Sequence, residues 1–501
     1  MENVQHDITE STPLLRSDTN STASGSTGDS KARKSWWQTE WQRHFARWST
    51  LYVCGLFILL VDVPNFMSEV PKLRMLELGL CRDYYAATDP SVIDRDGSVP
   101  ERLCKVREIQ SALAKMRGIL GMIEGIPGLI LAIPYGILAD SKGRRLVTGL
   151  SLLGFVLRDL WAFVVLYFYQ LFPVRAVYAA PAFLVLGGGS TVISPMIMAI
   201  IAAAVPEVSR TRAFFWVQVV LLITELIAPP LGAVLMKALG PHFAFLVAIP
   251  LEALAFVVLG FIPNTRSPHN TSNDNVDGEE EEEESQAAHN QGQESCNSQF
   301  SVSHMLQNTR RGFSTLGMQR GLWIGLLALV VAKMARPMLE LILQYMSVRF
   351  GWPLSKTAFL LSIQAAGQIL LFAVVLPQVN IWLLNRMKSS SATNLALTRV
   401  SVLFLAAGAF CMGFANSVPV FIIGTYTNKR VGELSSINYV AVFEGISTIG
   451  ASPLLGLSFS VGLEIGGIAL SLPFFIAAML YALAVTLLLC GMSIGSDATE
   501  T

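Results

Sequence analysis

Charge is scarce in this chain. Only 14% of its 501 residues are Asp, Glu, Lys or Arg, against 52% hydrophobic, whereas a soluble domain carries about 25% charge. That deficit, with a mean hydropathy of +0.51, excludes an ordinary soluble protein and puts most of the chain inside a bilayer. The formal net charge is zero, so no basic excess points to nucleic acid. The six cysteines and six histidines form no CxxC pair and no Cys/His cluster, which argues against a metal site. GxSxG, HExxH and P-loop patterns are all missing, so nothing points to catalysis, a cofactor or an ATP-driven pump. Energy would have to come from an ion gradient. No cleavable signal peptide opens the chain, because residues 1–48 are polar, and the first span is expected to act as its own signal.

Apolar runs are plentiful. A transmembrane helix needs about 20 mostly apolar residues. Such runs fall near 50–69, 116–139, 146–168, 176–204, 213–236 and 242–262, then near 321–347, 356–378, 396–415, 437–463 and 465–490. The expected organisation is an unstructured cytoplasmic tail (1–48), a six-helix bundle (49–262), an acidic linker (263–319), a second bundle (320–490) and a short tail (491–501). The linker carries six consecutive acids, Glu279–Glu284, which repel one another and stay solvated. Trp36, Trp37, Trp41 and Trp48 form an aromatic belt where the chain meets the membrane.

Between the second and third runs lies Gly136-Ile-Leu-Ala-Asp140-Ser-Lys-Gly143-Arg144-Arg145. It places an acid at a helix end, a glycine able to take positive φ, and a short cationic turn. This decapeptide resembles the loop signature of the major facilitator superfamily at every position. The resemblance implies an all-α membrane protein of two bundles of about six helices each, alternating access around a site between them. The turn Val205-Pro-Glu207-Val-Ser-Arg210-Thr-Arg212 is similar to another inside loop of that family. Relatives often carry an acid just ahead of it. Here the stretch is Ile201-Ala-Ala-Ala204, so no such role carries over.

With the signature loop inside, basic residues of the short loops favour the cytoplasm: Lys142, Arg144, Arg145, Arg210 and Arg212 among others, against Arg175, Lys237, Arg349 and Lys356 outside. The N-terminus and acidic linker are then cytoplasmic, and residues 70–115 form a long outside loop. Around Glu77 and Cys81 that loop is similar to fungal transporters distantly related to proton-coupled folate carriers. In an oxidising compartment Cys81 and Cys104 are expected to pair, with two free thiols as the alternative.

One stretch departs from the family pattern. Arg399 and Lys429 enclose too few residues for two full spans, and the apolar run Val418–Gly424 is too short to cross. The tenth span therefore reads as truncated, as a short broken helix or as a piece lost from the chain.

Ionisable residues inside spans are costly and usually functional. Asp62, Glu124, Asp159, Glu225 and Glu444 are the candidate proton carriers. Asp62 beside Pro64, and Glu225 ahead of Pro229-Pro230, each sit where a proline should break the helix. Arg158 adjoins Asp159, and neighbours point about 100° apart on a helix, so each should pair with a different helix. Lys333, Arg336 and Glu340 fall on one face of the seventh span. With Arg158, Gln344, Gln364 and Gln368 they are the candidate substrate-binding residues. The competing reading for each charge is a structural ion pair, and for the glutamines a hydrogen bond between helices. Gly187-Gly-Gly189-Ser190 is read as close helix packing.

Together these features predict a monomeric, proton-coupled exporter of a drug- or metabolite-like molecule. Its partners would be that substrate, protons and the lipid bilayer. The alternatives are proton-coupled uptake of an anionic nutrient, or a non-transporting receptor or inactive isoform. The plasma membrane is the expected address. A dileucine-like Glu10-Ser-Thr-Pro-Leu14-Leu15 in the tail would instead direct the chain to a vacuolar or endosomal membrane.

Overall fold

The computed structural model describes residues 28–264, 320–335, 337–370, 378, 390–415, 417–422 and 440–496. The chain divides into a short unit, Met1–Ser49, and a main unit, Thr50–Thr501. Among the described residues there is no strand. Eight helical stretches there are long and apolar enough to cross a membrane, six within residues 48–259 and two, Gly445–Ile465 and Gly467–Leu489, near the far end.

The helices are α1 (Gly28–Thr88), α2 (Arg107–Lys142), α3 (Arg144–Tyr167), a 3-10 segment (Val174–Leu186), α4 (Ser190–Ala204), α5 (Glu207–Leu239), α6 (Pro241–Ala253) and α7 (Ala255–Leu259). The second half contributes α8 (Arg320–Met334), α9 (Met338–Arg349), α10 (Leu354–Leu370), α11 (Ser390–Gly413), α12 (Val440–Ile465) and α13 (Leu472–Ser496).

Two large apolar cores are drawn mainly from one half each, with Leu343, Leu354 and Ala358 joining the first and Ala114 the second. One gathers Val70, Leu73, Phe163, Val177 and Phe245. The other gathers Tyr345, Phe421, Phe459 and Phe474. The stretch read as a truncated tenth span supplies part of the second core. Residues 418–422 are helical, and Phe421 stacks on Tyr345 with ring centroids 5.2 Å apart. Residues 423–439 lie outside the described set.

Several expectations change. Helix α1 begins at Gly28, inside the stretch read as a tail, and continues to Thr88. The loop after the first helix is therefore 89–106 rather than 70–115. Cys81 of α1 and Cys104 of that loop form the disulfide, with Cα atoms 5.4 Å apart. Helix α1 also runs unbroken through Pro64 and Pro71, and α5 through Pro229 and Pro230. Membrane helices tolerate such prolines when packing against neighbours holds their course. Here Gly232 is pressed against the Met67 carbonyl of α1, leaving no room for a Cβ.

The seventh span does break. Pro337 has no N–H, and its ring would clash with the carbonyl four residues back. Helix α8 stops at Met334 and α9 restarts at Met338, so Lys333 and Glu340 do not continue one helical face. The fourth span is also split: a 3-10 segment gives way at Gly187–Gly189 to α4. Gly188 and Gly189 have φ of 77° and 66°, and Gly187 lies against the Ser151 backbone of α3. Ser151 donates to the Gly187 carbonyl at 2.6 Å.

Candidate functional site

Residues from four helices of the first half converge on one buried charge cluster. Asp159 on α3 is 4% exposed. Its Oδ2 accepts from Lys72 Nζ of α1 at 2.7 Å. Its Oδ1 accepts from Arg158 Nε at 2.8 Å. The expectation that each pairs with another helix holds for Asp159 and is corrected for Arg158. The long guanidinium arm folds back to form its ion pair with its own neighbour. Lys72 also lies 5.0 Å from the centre of the Phe245 ring, and Arg158 5.0 Å from that of Phe155.

Two further carboxylates share these cations. Glu252 of α6 is 3% exposed and feels the charges of Asp159, Arg158 and Lys72. Glu124 of α2, with an accessible side chain, feels Arg158, Lys72, Asp159 and Glu69. Glu69 is itself held by Arg117 Nη2 at 3.2 Å. The structure therefore unites three predicted residues, Glu124, Arg158 and Asp159, with Lys72 and Glu252, which sequence reading passed over. Lys72 was assigned to a loop because hydropathy ended the first span too early. Glu252 could have been found: it is a carboxylate inside the sixth apolar run.

The other candidates lie elsewhere. Asp62 is ten residues before Lys72 on α1, about 15 Å along the helix. Glu225 is half-buried on α5. Asp62 and Glu225 each precede, by one to two turns, the crossing of α1 and α5 at Met67 and Gly232. Lys333 is half-buried near the end of α8, and Glu340 is exposed on α9. Arg336 and the Glu444 side chain fall outside the described residues. Gln364 and Gln368 are each 4% exposed, so neither opens onto an accessible surface.

Hydrogen bonds between the halves, among the described residues, gather at the end bearing loop 89–106, while α2 and α12 also pack farther along, at Gly125 and Ile449. Gln344 Nε2 donates to Gln110 Oε1 at 3.0 Å and to its carbonyl at 2.8 Å. The Leu354 N–H, at the start of α10, donates to Glu101 Oε1 at 2.9 Å. The Ser111 and Ser460 hydroxyls are 2.7 Å apart. Arg117 Nη1 donates to the Glu340 carbonyl at 2.9 Å. Below them α2 and α12 press together through glycines: a Cβ on Gly118 would stand 2.8 Å from the Ser452 carbonyl. The crevice between Arg117, Pro337, Glu340 and Ser452 has room for about one water.

Glu77 anchors this end. It is 1% exposed and accepts from Arg74 at 2.7 Å, Lys105 at 2.6 Å and Gln110 Nε2 at 2.6 Å. The loop has its own turn, where Asp96 accepts from the Ser98 N–H at 3.1 Å. That bond holds the Asp96 carboxyl below its ordinary range.

At the opposite end Gly143 has φ of 99° and caps α2. Arg144 Nη1 donates to the Ala199 carbonyl of α4 at 2.9 Å. Asp140 is exposed and makes no ion pair among the described residues.

A family model described as Major Facilitator Superfamily matches residues 114–424. The chain is 28% identical over 455 residues to the MFS efflux pump atnC of Emericella nidulans, covering 86% of this chain and 85% of that protein. It is 27% identical over 479 residues to the efflux pump ustT of Aspergillus flavus, covering 89% of each. Among solved structures it resembles a POT family transporter in complex with 5-aminolevulinic acid, at TM-score 0.51 and 17% identity, covering 88% of this chain and 96% of that one. It also resembles a D-xylose-proton symporter, at TM-score 0.51 and 12% identity, covering 85% and 96%. The family match runs through both halves and across the loop Gly136–Arg145, and the chain belongs to the Major Facilitator Superfamily.

Proposed function

We propose that this membrane transporter exports small organic molecules in exchange for protons, by alternating access. The observation that carries the reading is the cluster of Lys72, Arg158, Asp159, Glu124 and Glu252. Ionised groups in an apolar bundle cost several kcal/mol each unless paired, and such groups usually mark an ion or substrate path. Glu124 gives the cluster an accessible side, and Glu252 a buried one. Protonation on one side and release on the other needs such an arrangement.

The contacts at loop 89–106 fit a state closed toward the outside, with Asp140 unlatched on the cytoplasmic side. Opening outward requires parting Ser111 from Ser460 and Gln110 from Gln344. Export rather than uptake is favoured because fungal relatives matching most of the chain are named efflux pumps. We place the chain in the plasma membrane and take its working unit as a monomer.

The test is an efflux assay. Cells with and without the chain are loaded with a panel of lipophilic dyes and small organic acids, and retention is read by fluorescence and mass spectrometry, with and without a protonophore. The expected result is lower retention of at least one compound, abolished by the protonophore. Higher retention would mean uptake, and no change across the panel would favour a non-transporting protein.

A further inference from the structure

The cluster does not balance. Its two cations, Lys72 and Arg158, are shared among three carboxylates, Asp159, Glu124 and Glu252. Arg158 interacts with all three acids. The nearby Glu69 is already matched by Arg117. With every group ionised the set carries one excess negative charge inside the bundle.

The carboxylates are unequally served. Both oxygens of Asp159 hold ion pairs, and Glu124 reaches an accessible surface. Glu252 has neither advantage. It is 3% exposed, and no donor among the described residues bonds its Oε2. A buried ionised carboxylate without a donor forfeits its hydration and receives nothing in return. The charged groups facing it are Lys72 from α1 and Arg158 and Asp159 from α3, and both of those cations are already ion-paired with Asp159.

We infer that Glu252 is the proton-binding residue of this transporter, carrying on Oε2 the one proton that neutralises the cluster in this state. The inference rests on the proton-coupled reading above and names the site of the coupling. In the loading step a hydronium ion gives its proton to the accessible carboxylate of Glu124 and leaves as water; Glu124 passes that proton to Glu252 Oε2 and returns to its ionised form. When Arg158 or Lys72 turns from Asp159 toward Glu252 as the halves rock, the proton is released.

The site can be tested without knowing the substrate. Infrared difference spectra of the full chain in lipid nanodiscs, acid minus alkaline, report the C=O stretch of a protonated carboxyl, identified by its shift in D2O. A band that titrates in the wild type should be lost in Glu252→Gln and kept in Glu207→Gln, whose carboxylate is exposed and lies outside the cluster. In Glu252→Asp the band should move in frequency or midpoint, which guards against misfolding of the first variant. A band unchanged in Glu252→Gln and Glu252→Asp overturns the assignment. So does a band suppressed by sodium at constant pH, which would make this a sodium site. If the band behaves as expected while the efflux assay shows no proton-driven export, the export reading falls and the site stands. If proton-driven export is intact but Glu252→Gln leaves the band untouched, the site falls and the export reading stands.

Discussion

Lys72 and Asp159 meet at 2.7 Å and tie the C-terminal part of α1 to α3. Removing one partner of a buried pair costs about 3–5 kcal/mol, because a charge is left unmatched. Asp159 keeps Arg158, so Lys72→Met should cost about 3 kcal/mol, near the lower end of that range. The loss should shrink in the double variant Lys72→Met with Asp159→Asn. Thermal unfolding of the wild type, Lys72→Met, Asp159→Asn and the double variant in nanodiscs checks this; equal stability of wild type and Lys72→Met would contradict it.

Ser111 on α2 and Ser460 on α12 have hydroxyl oxygens 2.7 Å apart. Cysteines at both positions should form a disulfide under mild oxidation. The cross-linked protein should not transport, because the halves cannot part on that side, and reductant should restore flux. A cross-linked protein that transports normally would show that this contact does not open in the cycle.

Asp140 is exposed in this state, yet it belongs to the complete loop signature. If it latches in the other state, Asp140→Asn should lower transport severalfold without reducing the amount of protein at the membrane. Flux normalised to surface labelling measures this. Unchanged flux would remove Asp140 from the mechanism.

Cys81 and Cys104 close 23 residues of chain, which on the loop-entropy estimate is worth about 3 kcal/mol. Cys81→Ser with Cys104→Ser should lower stability by that order and loosen loop 89–106. Hydrogen exchange at loop amides should rise, including that of Ser98, whose N–H bonds Asp96. Because that bond holds the Asp96 carboxyl below its ordinary range, the turn is fully held above the usual carboxylate pKa. It is released only as pH falls through the lowered value. Exchange at Ser98 that is fastest at alkaline pH, after correction for intrinsic rates, would reverse this sign.

The order of the first six spans and the last two, the membrane setting, the signature loop and the cysteine pair were all legible in the sequence. Each depends on local composition or on residues close in the chain: hydropathy over about 20 residues sets a span, and a decapeptide carries the signature. Charges inside spans marked Glu124, Arg158 and Asp159 as costly. What the sequence could not supply was pairing. Lys72 and Asp159 are 87 residues apart, and which faces of α1, α3 and α6 meet is decided by packing among helices. The same holds for proline. Pro229 and Pro230 leave α5 unbroken where it packs against α1, while Pro337 interrupts the seventh span. A proline deletes one backbone donor in either place, and its surroundings decide whether the helix bends, breaks or continues.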